Sequence, residues 1–419
     1  MTKFGGVRVE KSVSFIHAAD LHLDSPFKGL ADIPAHLFQE ISESTFHALD
    51  RLVQTAIDKK VDFVLLVGDL FDNENQGIKA QVKLRAAFET LKQHQINVYI
   101  CYGNHDYLQG NVYQVEYPEN VHVFQSEKID HFTYKKDGTS IAQIYGFSYE
   151  NRMISENKVK EYYIVDRKVP FHIAMLHGSY NENKEHATYA PFSINDLIGQ
   201  PFDYWALGHI HQRSELKRYP PVVYPGNIQG RHRKETGEKG CYYVRLTETD
   251  VSMNFIPLHA IEFRKISINI LDNASIYNTE EKVRAILQSI SCSVPQLISL
   301  TFIGSEQVMM NWEKEHLFTE LIELINEAFT HRSNWLYIYR YDKQVKRKMD
   351  TSQLQEGEHF IGELTRQREN ISVKSVLSEL YNHRQAKRHL ELLEENELEN
   401  IKEEAYALLI NDLQYSEGD

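Results

Sequence analysis

Five short stretches of the chain each end an apolar run with side chains able to ligate a metal ion. They are Asp20-Leu21-His22, Gly68-Asp69, Gly103-Asn104-His105-Asp106, Leu176-His177-Gly178 and Gly208-His209-Ile210-His211. A mixture of imidazole and carboxylate donors suits Mn, Fe or Zn better than Mg or Ca. Phosphodiester hydrolysis at neutral pH needs a nucleophile and neutralisation of the phosphoryl oxygens. Two divalent ions about 3.5–4 Å apart can supply both. A carboxylate must then bridge the ions, with His, Asp and Asn filling the other positions. Singly, each stretch has a plainer explanation. Asp20-x-His22 could be a chance pair, Gly68-Asp69 a strand-to-turn junction, Gly103-Asn104 a turn, and His177 a hydrogen-bonded core histidine. In series, each after an apolar run, they describe a two-metal phosphoesterase site.

The elements that must position these residues are legible around them. Residues 13–19, 62–68, 97–102, 171–176 and 203–207 are short apolar runs, too short for buried helices. Between them, residues 34–59 and 76–94 carry helical periodicity, with Pro34 where a first-turn proline stands. The alternation predicts an α/β layered fold, with ligands at the carboxyl ends of strands. From about Val222 to Pro257 the strands crowd together, which predicts antiparallel pairing. Residues 1–260 thus form a catalytic domain.

Residues 261–342 predict a small α+β domain. Its order is a strand at 264–271, a helix at 279–290, a strand at 297–303, a helix at 311–329 and a strand at 335–339. Residues 343–369 read as a polar linker. Residues 370–419 read as helical, and Leu398, Ile401, Ala405, Leu408 and Leu409 form one apolar stripe. That stripe either packs on its own protein or docks a partner.

A length of 419 residues suggests two or three domains. No apolar run approaches the roughly 20 residues of a membrane helix, and Met1 to Glu10 lacks the apolar core of a secretory signal. Cys101, Cys241 and Cys292 lie far apart without CxxC spacing. A cytoplasmic protein is expected, with no disulfide framework. The net charge of −13 argues against nucleic-acid binding by the whole surface. It leaves room for a local basic path through Arg213, Lys217, Arg218, Arg231, His232, Arg233, Lys234 and Lys239. Tyr219 and Tyr224 could stack on bases there or be structural. Among other histidines, His17 reads as a satisfied core group and His47 as facing a neighbouring element. His122 and His186 have no matching context.

The five stretches together resemble the calcineurin-like metallophosphoesterase superfamily. Gly68-Asp69-Leu70-Phe71-Asp72, Tyr204-Trp205-Ala206-Leu207-Gly208-His209-Ile210-His211, Tyr224-Pro225-Gly226 and Lys239-Gly240 are similar to the SbcD-type DNA-repair nucleases. The likeness covers roughly the first 245 residues. It implies a β-sandwich flanked by helices, with the small domain capping the site. It also implies that Asp20, His22 and His211 hold one metal, that Asn104, His177 and His209 hold the other, and that Asp69 bridges them. His105 would contact the scissile phosphate and stabilise or protonate the leaving oxygen, and Asp106 would orient His105. The metal typical of the group is Mn, with Fe, Zn or Mg as alternatives. The implied partners are DNA, an SMC-like coiled-coil ATPase docked on the C-terminal helices, and a second copy of the chain. The segment His22-Leu23-Asp24-Ser25-Pro26-Phe27 departs from the group, where a Leu-Gly step often follows Asp-x-His. A nucleotide or small-molecule phosphodiesterase or phosphatase of the same superfamily is the first alternative. A regulatory subunit of an ATPase is the second. Leu70-Phe71-Asp72 after Gly68-Asp69 disfavours the Ser/Thr phosphatase branch.

Overall fold

Strands β1 (Ser12–Ala18), β2 (Phe63–Val67), β3 (Asn97–Cys101) and β4 (Val121–Val123) lie parallel, and their order follows the chain. In the computed structural model the described residues are 11–30, 32–72, 77–110, 115–180, 189–271, 274–290 and 293–345, then 372–378, 398, 402 and 405. β11 (Gly240–Thr247) pairs antiparallel with β1, and β12 (Val251–Pro257) with β11, which completes a six-stranded sheet. A second six-stranded sheet has the order β5-β6-β7-β8-β10-β9. Its strands are β5 (Asp130–Lys136), β6 (Thr139–Gly146), β7 (Phe171–His177), β8 (Tyr204–Gly208), β9 (Ser214–Arg218) and β10 (Pro221–Tyr224). The antiparallel pairs expected near 222–257 are β9 with β10 and β11 with β12.

Alternation along the central strands sorts their side chains into layers. Ile16, Val64, Leu66, Val98 and Ile100 face outward onto helices α1 (Ala35–Asp58) and α2 (Ile78–Gln93). Phe15, Phe63, Leu65, Val67 and Tyr99 face inward, onto Ile144, Ile173, Met175 and Tyr204 of the second sheet. The outer face of that sheet carries Ala174, Leu176, Trp205 and Leu207. It is covered by Tyr149, Tyr162 and Phe192 from the connecting segments and by Leu197 of the short helix α3 (Ile194–Ile198). β2, Phe-Val-Leu-Leu-Val, is buried at every position because both of its faces are covered. Pro34 stands in extended backbone just before α1, not inside its first turn.

The small domain is a parallel three-stranded sheet of β13 (Glu262–Asn269), β14 (Gln296–Gly304) and β15 (Leu336–Val345). Helix α4 (Ile276–Ser289) makes the first crossover. The single helix expected over 311–329 is two, α5 (Glu306–Lys314) and α6 (Leu317–Phe329). His316 sits at φ 57° between them, in the left-handed region that ends a right-handed helix. Phe27, Leu30, Ile33, Leu37 and Ile41 share one apolar core with Ile261, Phe263, Leu297 and Trp335, and the Trp335 indole donates to Glu40 at 2.8 Å. The small sheet is thereby fixed to α1 and the segment leading into it.

The chain divides into two compact units, Met1–Val345 and Lys346–Asp419. Lys343 to Val345, expected to begin a linker, instead finish β15 opposite Phe302 to Gly304. In the second unit a helical turn, Val373–Val376, is capped by the Ser372 side chain. Of the apolar stripe, Leu398 and Ala405 are described, while Ile401, Leu408 and Leu409 lie outside the described residues. No helix among the described residues is long and apolar enough to cross a membrane.

Candidate two-metal site

All five stretches follow parallel strands whose carboxyl ends lie level. Val67 is in register with Cys101, and His177 with Gly208. Asp20, Asp69 and Asn104 come from the first sheet, whereas His177, His209 and His211 come from the second. The sheets close on each other at this end because three glycines allow it. A Cβ at Gly68 would fall on the His177 ring, one at Gly103 on Asp69 and His177, and one at Gly208 on the Val67 carbonyl. Asp20, His22, Asp69 and His209 take positive φ values of 52°, 43°, 51° and 100°. Such conformations cost about 1–3 kcal/mol each in non-glycine residues and collect at functional sites.

Two groups of side chains could each hold a metal ion: Asp20 with His22 and His211, and Asp69 with His177 and His209. Asp69 Oδ2 lies 3.8 Å from His22 Nε2 and 3.5 Å from His177 Nε2, so it stands between the groups. Asn104 Oδ1 lies 3.1 Å from both His177 Nε2 and His209 Nδ1. His22 Nε2 and His211 Nε2 are 3.1 Å apart.

Hydrogen bonds on the far sides of the rings say what these close approaches mean. His177 Nδ1 donates to the Val67 carbonyl at 3.0 Å, and His211 Nδ1 to Glu235 at 2.6 Å. With Nδ1 engaged on the far side, Nε2 is the ring atom that each turns inward, where it offers a lone pair to a metal. At His177 that lone pair meets an amide oxygen, so two acceptors face each other. A cation between them resolves the arrangement, and the donor set therefore fits divalent metals. Without a cation, protons take that role. Burial alone would lower His177, but the Asp69 and Asp20 carboxylates outweigh it and raise its pKa to about 9. Against its own burial, Asp69 is held well below the usual carboxylate range by His177 and His22. Burial and the nearby Arg231 push His22 down to about 3, which keeps it neutral.

His105 sits at the edge of this cluster. Its backbone N–H donates to Asp69 at 2.9 Å, and its Nδ1 meets the Asp72 carbonyl at 2.9 Å. Nε2 is the ring atom left for a substrate. Asp106 was expected to orient His105, and the hydrogen bonds correct that. The Asp106 carboxylate accepts from the backbone N–H groups of Gly103 (2.7 Å), Leu70 (2.6 Å) and Asp69 (3.3 Å). Buried and facing three amide donors, it ties the two ligand loops together, and the Asp72 carbonyl holds the ring.

Glu235 is a site residue that the sequence did not reveal. It is buried and accepts from His211, from Asn227 at 2.9 Å and from the Arg231 backbone at 2.7 Å. Despite burial, His211 and Arg231 hold its carboxyl well below the usual range. Arg231 also pairs with Asp72, whose Oδ1 lies 3.4 Å from His22 Nδ1. The basic stretch therefore divides. Arg231 and Lys239 are structural, the latter donating to the His211 carbonyl at 2.9 Å. Arg213 stacks over Phe255. His232 and Lys234 border an open cleft of about 680 Å³ that also contains Asp69, Asn104, His105, His209 and His211.

The other aromatic and imidazole groups that the sequence singles out stand outside the two ligand groups. Tyr224 is buried with its hydroxyl donating to the Gly178 carbonyl at 2.6 Å, while Tyr219 is exposed. His17 bonds the Tyr204 hydroxyl at 2.9 Å and the Leu207 carbonyl at 3.1 Å, and burial lowers it to about 3. His122 stacks on Tyr99. His47 points to solvent on α1 and not toward a neighbour, because that helix buries its other face. His186 lies outside the described residues.

A two-sheet sandwich with paired ligand groups at its strand ends is the architecture of a dinuclear phosphoesterase. The family model for calcineurin-like phosphoesterases matches residues 13–213, which span all five stretches. The uncharacterized metallophosphoesterase YhaO of Bacillus subtilis is 36% identical over 399 residues, covering 95% of this chain and 97% of that one. The DNA double-strand break repair protein Mre11 of Methanocaldococcus jannaschii is 26% identical over 282 residues, covering 64% of this chain and 72% of that one. Mre11 of Thermoplasma acidophilum is 23% identical over 269 residues, covering 59% and 65%. The chain belongs to the calcineurin-like metallophosphoesterase family, whose members hydrolyse phosphoesters at a dinuclear metal centre.

Proposed function

We propose that the chain is a metal-dependent DNA nuclease acting on phosphodiester bonds. Asp20, His22 and His211 would hold one ion, Asn104, His177 and His209 the other, with Asp69 shared. When bound, such ions lower the pKa of water and neutralise charge on phosphoryl oxygens. The chain's own groups do the rest. Glu235 and the Val67 carbonyl fix ring orientation and tautomer, as outer partners of ligating histidines do. His105, held by Asp72 and Asp69, presents Nε2 to the phosphate and can carry a proton to the leaving oxygen.

The observation that carries this reading is His105 beside the paired ligand groups, in an open cleft rimmed by His232 and Lys234. An open cleft with the Lys234 ammonium at its rim suits a phosphate within a polymer. The likeness to the two Mre11 proteins supports DNA as that polymer. Mn is the metal proposed. A homodimer, a cytoplasmic setting and an SMC-like coiled-coil ATPase partner belong to the same proposal.

The test is cleavage of end-labelled linear DNA with Mn, comparing the wild type with His105→Ala. Cleavage by the wild type, lost by a variant that still binds metal, is expected. Hydrolysis of a small phosphodiester with no attack on DNA would move the substrate to nucleotides or other small molecules.

A further inference from the structure

Beside the metal cleft lies a second open cavity of about 640 Å³, between the small domain and the loop that carries Glu235. Lys28, Arg233, Phe263, Tyr339 and Arg340 line it, and it shares His232 and Lys234 with the metal cleft. The two openings therefore adjoin at His232 and Lys234.

Its charge is unusual for this molecule. Many surface cations are matched by carboxylates, as in Lys79 with Glu43, Lys92 with Glu119, Lys136 with Asp62 and Lys343 with Glu313. Arg340 is likewise forked onto Asp342. The side chains of Lys28, Arg233 and Lys234 make no ion pair with any described residue. Three cations without a direct ion pair gather on one wall of a chain of net charge −13, with Asp342 near Arg233 as a carboxylate already engaged by Arg340, and they offer contacts to an anion. Tyr339 adds a half-buried ring, packed edge-on against Phe263 at 6.0 Å. Cations that follow a backbone, interleaved with a ring that can take a base, are the components of a single-strand track.

We propose that this second cleft binds the single DNA strand that continues from the scissile phosphate, through phosphate contacts by Lys28 and Arg233 and stacking on Tyr339. The proposal rests on the nuclease reading above. It assigns the small domain a part in holding substrate, with the phosphate contacts insensitive to sequence.

The experiment compares the wild type with the double variant Lys28→Glu/Arg233→Glu, neither residue lining the metal cleft. Hydrolysis of bis(p-nitrophenyl) phosphate with Mn serves as the control for folding and metal loading, and is expected to be unchanged. Binding and cleavage of a long single-stranded oligodeoxynucleotide are expected to fall about tenfold or more. The slope of log affinity against log salt should drop by about 1.4, the value for two lost single-strand phosphate contacts. Tyr339→Ala should weaken binding without changing that slope. An unchanged slope and unchanged cleavage in the double variant, with the wild type active on the oligonucleotide, would overturn the track and leave the nuclease reading intact. A wild type that hydrolyses the small diester but neither binds nor cuts the oligonucleotide would overturn both.

Discussion

At the scale of single residues, the site is built from ligands and from the groups that aim them. The ligands were legible because each ends an apolar strand, where few other roles call for His, Asp and Asn together. The groups that aim them were not. Glu235 meets His211 across 24 residues that include β9 and β10, and nothing in Arg-His-Arg-Lys-Glu marks the one carboxylate that folds back. Asp106 was misread because its neighbour in sequence is His105, whereas its partners are backbone N–H groups that sequence does not distinguish. Glu235→Gln keeps a hydrogen-bond acceptor and removes the charge. It should weaken one of two metal affinities by about tenfold or more, the usual effect of losing such an outer partner. Titration followed by Mn electron paramagnetic resonance would check it, and two unchanged affinities would refute it. The raised pKa of His177, about 9, gives a pH prediction. Below that value the metal-free chain carries the proton, and a metal must displace it. Metal affinity should therefore fall by up to about tenfold per unit as pH drops from about 9. Calorimetry in buffers of different ionisation enthalpy should find about one proton released per chain at pH 7.5.

At the scale of elements, the strands, α1 and α2 were readable from apolar periodicity, because both sheets are buried on the faces that matter. The break between α5 and α6 was not. Both helices continue an amphipathic pattern, and His316 supplies the left-handed turn without a Gly or Pro to announce it. The closeness of the two sheets at the site was also hidden. It depends on glycines that read locally as turn residues, yet serve to leave room for His177 and the Val67 carbonyl. Gly208→Ala places a methyl on that carbonyl. It should destabilise the fold and weaken metal binding together, visible as a lower Tm and a loss of the metal-induced rise in Tm. A variant with wild-type stability and full metal content would show that the sheets need no such contact.

At the scale of the whole molecule, a chain of net charge −13 concentrates unpaired cations next to a cluster of acidic and imidazole ligands. Composition could suggest a local basic path but not its location, since Arg231 and Lys239 turn inward while Arg233 and Lys234 remain exposed. The unit Lys346–Asp419 is separate from the one that carries the site. Removing residues after about 370 should leave hydrolysis of a small phosphodiester unchanged and weaken association with the proposed ATPase partner. Full partner binding by the truncated chain would remove that segment from the interface.

The most direct test of the central claim is a metal count. The purified chain, stripped by chelation and reloaded with Mn, would be measured by elemental analysis beside Asp69→Ala. Two ions per wild-type chain, with both lost or greatly weakened in the variant, is the result expected of a carboxylate shared between Asp20-His22-His211 and Asn104-His177-His209. A single ion in the wild type, or two retained after Asp69 is removed, would contradict it.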